Sequence, residues 1–78
     1  MSSVVDLAST PPNSRVVVVD ICAGHGLKMR LLQIGLIPGT EVEVLENRGG
    51  MVMIRFRGTV LTLSRGIAKK IIVSPRMG

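Results

Sequence analysis

Apolar positions along this chain change period twice, and each change marks an element. Arg15 to Ile21 is a β-branched run that predicts a strand buried on both faces or lying across the core. Ala23-Gly24-His25-Gly26 breaks that strand, and from about Leu27 the apolar residues recur at helical spacing, with Leu27, Leu31 and Ile34 on one face. Gly35 suits a left-handed C-cap and Pro38-Gly39 a tight turn, so the helix stops there. The period then drops to two: Glu41 and Glu43 point one way, Val42 and Val44 the other. Strands are predicted near 41–46, 51–57 and 59–64, followed by a short turn over Arg65 to Ala68 and a closing strand near 69–73. Residues 1–14 read as an N-terminal arm and loop with Val4, Val5 and Leu7 available to dock, 15–73 as the body of the fold, and 74–78 as a tail.

The middle strands fix a register. With Val42, Val44, Val52, Ile54 and Phe56 inward, Glu41 and Glu43 share the outer face with Met51, Met53, Arg55 and Arg57. A hairpin turning at Asn47-Arg48-Gly49-Gly50 places Glu43 opposite Arg55 and Glu41 opposite Arg57. Exposed pairs of this kind contribute about 0.2–1 kcal/mol, so they set register more than they stabilise. About five short strands with tight turns and one inserted α-helix predict a mainly β fold, a small SH3-like barrel.

Composition narrows the setting. A chain of 78 residues holds one domain with one modest core, and 46% hydrophobic residues are enough to fill it. No apolar run approaches the roughly 20 residues of a membrane-spanning helix, which argues against direct insertion. The N-terminus lacks the basic start and apolar stretch of a secretory signal. Cys22 has no partner in the chain for a disulfide, and a cytoplasmic protein is the expectation. Phe56 is the only aromatic residue, so the core is built from Val, Leu, Ile and Met.

Little here resembles a reaction centre. The chain has one histidine, one cysteine and five dispersed carboxylates, which do not converge as catalysis requires. Cys22 and His25 are the one pair worth testing as a thiolate dyad or as soft-metal ligands. No neighbouring acid or amide orients the imidazole, and two ligands leave a tetrahedral site incomplete, so the expectation is no enzyme, no cofactor and no protein-only metal site. Gly24-His25-Gly26 precedes a helix but lacks the fuller nucleotide-binding patterns. The net charge of +5, with Arg48, Arg55, Arg57, Arg65, Lys69 and Lys70 on strands and turns, suits phosphate or an acidic protein surface. Bases stack on aromatic side chains, and their near absence argues against nucleic acid and against grooves for Pro-rich peptides. An aliphatic surface remains: Met29, Leu32 and Ile37 lie off the predicted core face, and Met51 and Met53 lie on the charged hairpin face.

The joint Leu31-Leu32-Gln33-Ile34-Gly35-Leu36-Ile37-Pro38-Gly39 followed by Val42-Glu43-Val44 resembles the FeoA family of prokaryotic ferrous iron uptake. The likeness extends over Ala23-Gly24-His25-Gly26, Arg57-Gly58, Leu61-Thr62-Leu63-Ser64 and Ile67 to Val73, nearly the whole chain. One departure is Asn13-Ser14, where the family tends to have a Pro-Gly-like turn. The resemblance implies an SH3-like barrel and a non-enzymatic accessory protein that binds the cytosolic part of the membrane transporter FeoB, which binds and hydrolyses GTP. Met29, Leu32 and Ile37 with Lys28 and Arg30 are the expected contact surface. Two alternatives stay open: a free-standing relative of the SH3-like C-terminal domain of DtxR-type metal-dependent repressors, and a basic RNA-binding barrel. A homodimer through an edge strand or the Met-rich face is open as well.

Overall fold

The computed structural model describes residues 4–75. The strands are β1 (Val5–Asp6), β2 (Arg15–Ile21), β3 (Glu41–Arg48), β4 (Met51–Phe56), β5 (Thr59–Ser64) and β6 (Ile71–Pro75), with helices α1 (His25–Gln33) and α2 (Arg65–Ala68) and a 3-10 turn at Leu7–Ser9. All neighbours are antiparallel, in the order β1-β6-β2-β3-β4-β5. The architecture is mainly β and SH3-like, with α1 inserted between β2 and β3. The sixth strand is the short β1, donated by the arm to β6. Residues 1–3 of the arm and 76–78 of the tail lie outside the described residues.

The predicted inward set is the core. Val42, Val44, Val52, Ile54 and Phe56 are all buried, together with Leu7, Val16, Val18, Leu31, Leu36, Ile71 and Val73. Removing such aliphatic surface from water, at roughly 25 cal/mol per Å², is the main drive for closure. The β3–β4 hairpin turns through Gly49-Gly50, whose φ values of 62° and 79° are those a two-residue type I′ loop requires. β3 therefore runs through Arg48, and Asn47 lies inside a strand rather than in the turn.

The joint behind α1 closes as its residues predict. Gly35 takes φ +103°, its N–H donates to the Leu32 carbonyl (3.1 Å), and the Leu36 N–H donates to the Leu31 carbonyl (3.0 Å). That pair of bonds is a Schellman cap, and the buried Leu31 and Leu36 flank it. Pro38-Gly39 makes the next turn, with Gly39 at φ +95° and the Thr40 N–H donating to the Ile37 carbonyl at 3.0 Å. The Thr40 hydroxyl reaches back to the Gly35 carbonyl (3.1 Å), tying the turn to the helix end.

Six expectations need correction. β2 is not buried on both faces: it alternates, with Val19 43% exposed, and the ladder to β6 then shifts by one residue between Val18 and Asp20, a bulge at Val19 that leaves Asp20 exposed and turns Ile21 inward. Ile34 does not face the core. It is the C-cap of α1 and 49% exposed, and Leu36 fills the interior beyond it. The helix also begins at His25, two residues before Leu27, and the closing strand begins at Ile71 because Lys69 and Lys70 form a turn. Arg65 to Ala68, expected as a turn, is a one-turn helix whose Ser64 hydroxyl accepts the Ile67 N–H at 3.3 Å. Glu43 does stand opposite Arg55, but Glu41 is not in register with Arg57. β4 ends at Phe56, Arg57 enters the turn at φ +51°, and the ladder sets Glu41 beside Val17. At Asn13, where the family tends to a Pro-Gly-like turn, φ is +68°, a conformation that asparagine tolerates well.

Candidate partner-binding surface

The short α1 carries the residues expected to meet a partner, and the barrel sorts them into two groups. Met29 and Ile37 are 40% and 38% exposed, and Arg30 is exposed beside them in sequence. Lys28 is half-buried. Leu32 is half-buried and packs against the core cluster, so its side chain supports α1 as well as bordering its surface. Ile34, expected inside, joins the outer group. The apolar residues at the C-terminal end of α1 are therefore Ile34 and Ile37, with Pro38 exposed in the following turn, while Met29 is exposed at the middle of the helix.

A second feature lies beside that end, where β3 and β4 leave the hairpin pair. A cleft of about 330 Å³ is walled by Arg15, Arg55 and Arg57 with Glu41 and Glu43, over the buried Val42 and Phe56. Arg55 Nη2 donates to Glu43 Oε1 at 2.7 Å. This hydrogen bond holds the Glu43 carboxyl below the ordinary glutamate range, with desolvation opposing it and the positive charges of Arg55 and Arg15 adding to it. Arg57 leans the other way: an added Cβ at Gly35 would lie 3.8 Å from its Nη1 and 4.0 Å from its Cδ. The Arg57 side chain thus forms a wall common to the cleft and the helix end.

Other charges expected on one basic face are held locally. Arg48 pairs with Glu46 at 3.3 Å, and Arg65 Nη1 donates to Asn47 Oδ1 at 2.8 Å. Met51, Met53, Glu46, Arg48 and Gly49 line a separate shallow cleft of about 280 Å³ on the hairpin. Cys22 directly follows β2, its N–H donates to the Lys70 carbonyl at 2.7 Å, and both Cys22 and His25 are exposed. Among the described residues no group of three or more His, Cys, Asp or Glu side chains is placed to hold a metal ion. No helix among them is long and apolar enough to cross a membrane.

Arg15 did not emerge from the sequence as a site residue, and Arg57 emerged as a strand partner of Glu41 and as one member of a broad basic face. The usable signal was Arg57-Gly58 itself: a two-residue loop that needs positive φ twice yet carries a long cation first.

The structure is a small SH3-like barrel with an inserted helix, whose exposed aliphatic end lies beside a charged cleft. The FeoA domain model matches residues 5–75, and the chain belongs to the FeoA family. It is 36% identical over 67 residues, 86% of this chain and 82% of the relative, to a Methanocaldococcus jannaschii protein provisionally named Fe(2+) transport protein A. The crystal structure of an iron uptake regulatory protein (FeoA) superposes with a TM-score of 0.87 at 31% identity, covering 95% of this chain and all of that one. A manganese-dependent transcriptional repressor shares the fold at a TM-score of 0.88 and 19% identity, with 97% of this chain matching 44% of the repressor.

Proposed function

We propose that this chain is a non-enzymatic accessory protein of ferrous iron uptake, working in the cytoplasm by binding the cytosolic part of a FeoB-like membrane transporter. Membership of the FeoA family over residues 5–75 carries this reading, and the name of the Methanocaldococcus relative agrees with it. The described surface agrees with a binding role: it offers exposed Met29, Ile34 and Ile37, with Arg30 exposed next to Met29 in the chain. Apolar residues edged by arginine are the usual make-up of protein interfaces. The repressor's likeness extends to the fold alone and favours no second reading.

The test is capture of the transporter from solubilised membranes of the native host by the tagged chain. Met29→Asp and Ile37→Asp place charge on exposed positions and should abolish capture while leaving the circular dichroism spectrum and melting temperature near those of the parent. Leu32→Asp is a poorer probe, because its side chain packs on the core. Failure of the parent chain to retain any transporter would overturn the proposal, and unchanged capture by both folded variants would remove this surface from it.

A further inference from the structure

We propose that the cleft beside Arg57 docks an acidic, extended segment of a protein partner, with a carboxylate side chain held between the guanidinium groups of Arg15 and Arg57. The inference rests on the reading that this chain acts by binding another protein, and it adds the chemistry of what is bound. The cleft carries three cations against two anions. Of the three, Arg55 is already committed to Glu43 at 2.7 Å. Among the described residues the side chains of Arg15 and Arg57 make no hydrogen bond and no ion pair within 4 Å, and Arg15, in register with Glu43, acts on that carboxylate only through its charge. Two guanidinium groups with free donors beside an apolar floor of Val42 and Phe56 form a receptor for a carboxylate, which arginine can bind through two parallel N–H bonds.

Arg57 supplies an independent reason. It occupies the first position of a two-residue turn at φ +51°, where asparagine or glycine would rest with less strain, and its side chain lies across Gly35. Backbone strain is kept where the side chain has a task, and clamps for ligands are among the common ones. The same walls discriminate among ligands. The negative charges of Glu41 and Glu43 disfavour a doubly charged phosphate. The arginines repel a divalent cation. Phe56 is buried and offers no face for a nucleobase. The cleft meets the helix end at Arg57, so an acidic residue in the cleft lets neighbouring apolar residues of the same partner reach Ile34 and Ile37.

The test titrates the ¹⁵N-labelled chain with acetyl-Val-Glu-Val-Glu-Val-amide, its glutamine counterpart, and inorganic phosphate, following amide shifts at low salt. The acidic peptide should move the Arg15, Phe56, Arg57 and Gly58 signals saturably, and the glutamine peptide should bind at least about tenfold more weakly. Arg57→Asn, which suits the turn, and Arg15→Gln should each weaken the acidic peptide by about fivefold or more. No saturable shift, equal binding of the glutamine peptide, unchanged affinity in both variants, or phosphate acting on the same signals at the same concentrations would each overturn the proposal. Transporter capture by the parent chain, run in parallel, separates the two readings. Capture without peptide binding leaves the accessory role standing and removes the cleft; peptide binding that meets these criteria without capture keeps the cleft and removes the transporter.

Discussion

Asn47 does more for this molecule than its place near a glycine turn suggests. Its Nδ2 donates to the carbonyls of Ala8 (2.9 Å) and Thr10 (2.6 Å), and its Oδ1 accepts from Arg65, so one side chain joins the arm, β3 and the start of α2. Asn47→Ala leaves two half-buried carbonyls without their donor and should cost about 2–4 kcal/mol, read from urea denaturation. Its sequence position pointed to a turn, because strict alternation from Val42 and Val44 sends position 47 outward. The bulge at Leu45, seen as a register shift between Val44 and Glu46, turns Asn47 back inward. A trace of this was legible, since Leu45 breaks the alternation, but its hydrogen-bond partners lie 37 and 39 residues away and could not be read. The Glu43–Arg55 pair, by contrast, followed directly from register. Its folded carboxyl titrates below the ordinary 4.5, so the unfolded chain takes up this proton first on acidification. The contribution is complete above the ordinary value and is lost as pH falls through the depressed one. Melting temperature between about pH 5 and pH 3 should therefore fall less steeply in Glu43→Gln than in the parent. Equal slopes would show that the pair does not control this titration.

Elements ending in glycine were the most legible part of the chain, because the backbone demands there are local. Gly35 at φ +103° is one case, and Gly35→Ala should cost roughly 1–2 kcal/mol, since the added Cβ finds ordinary contact with Phe56 at 3.7 Å and the penalty is conformational. Bulges at Val19 and Leu45 were not legible in that way: both arise from pairing with distant strands, and they decide where β2 and β3 turn their side chains. The two hairpin turns make a sharper comparison. Gly49-Gly50 and Arg57-Gly58 have the same pair of positive φ signs, but only the second bears a long side chain at its first position. Arg57→Asn should thus preserve the fold or raise its stability by about 0.5–1 kcal/mol, measured by denaturation. A clear loss instead would mean that Arg57 is retained for its packing over Gly35.

At the scale of the whole molecule, the question is whether the arm is an appendage or part of the barrel. Sequence reading offered Leu7 as able to dock. It could not show β1, because two residues are too few to display alternation, and their partners Val73 and Ile72 come from the far end of the chain. Leu7 is fully buried and Ala8 nearly so, the 3-10 turn they form packs on α2 and β6, and Asn47 holds the carbonyls of Ala8 and Thr10. First and last segments therefore share one core, and the exposed helix end and the cleft both rest on the sheet that this core supports. Leu7→Ala should lower global stability by about 2–5 kcal/mol, the usual cost of emptying a buried leucine site. That is a large share of the roughly 4–12 kcal/mol expected for a domain of this length. Hydrogen exchange decides between the two views: if the arm is integral, amides of β3 and β4 lose protection together with those of β1 and β6, in one cooperative step. Loss confined to β1 and β6, with β3 and β4 as protected as in the parent, would make the arm an independent strap on a barrel that closes without it.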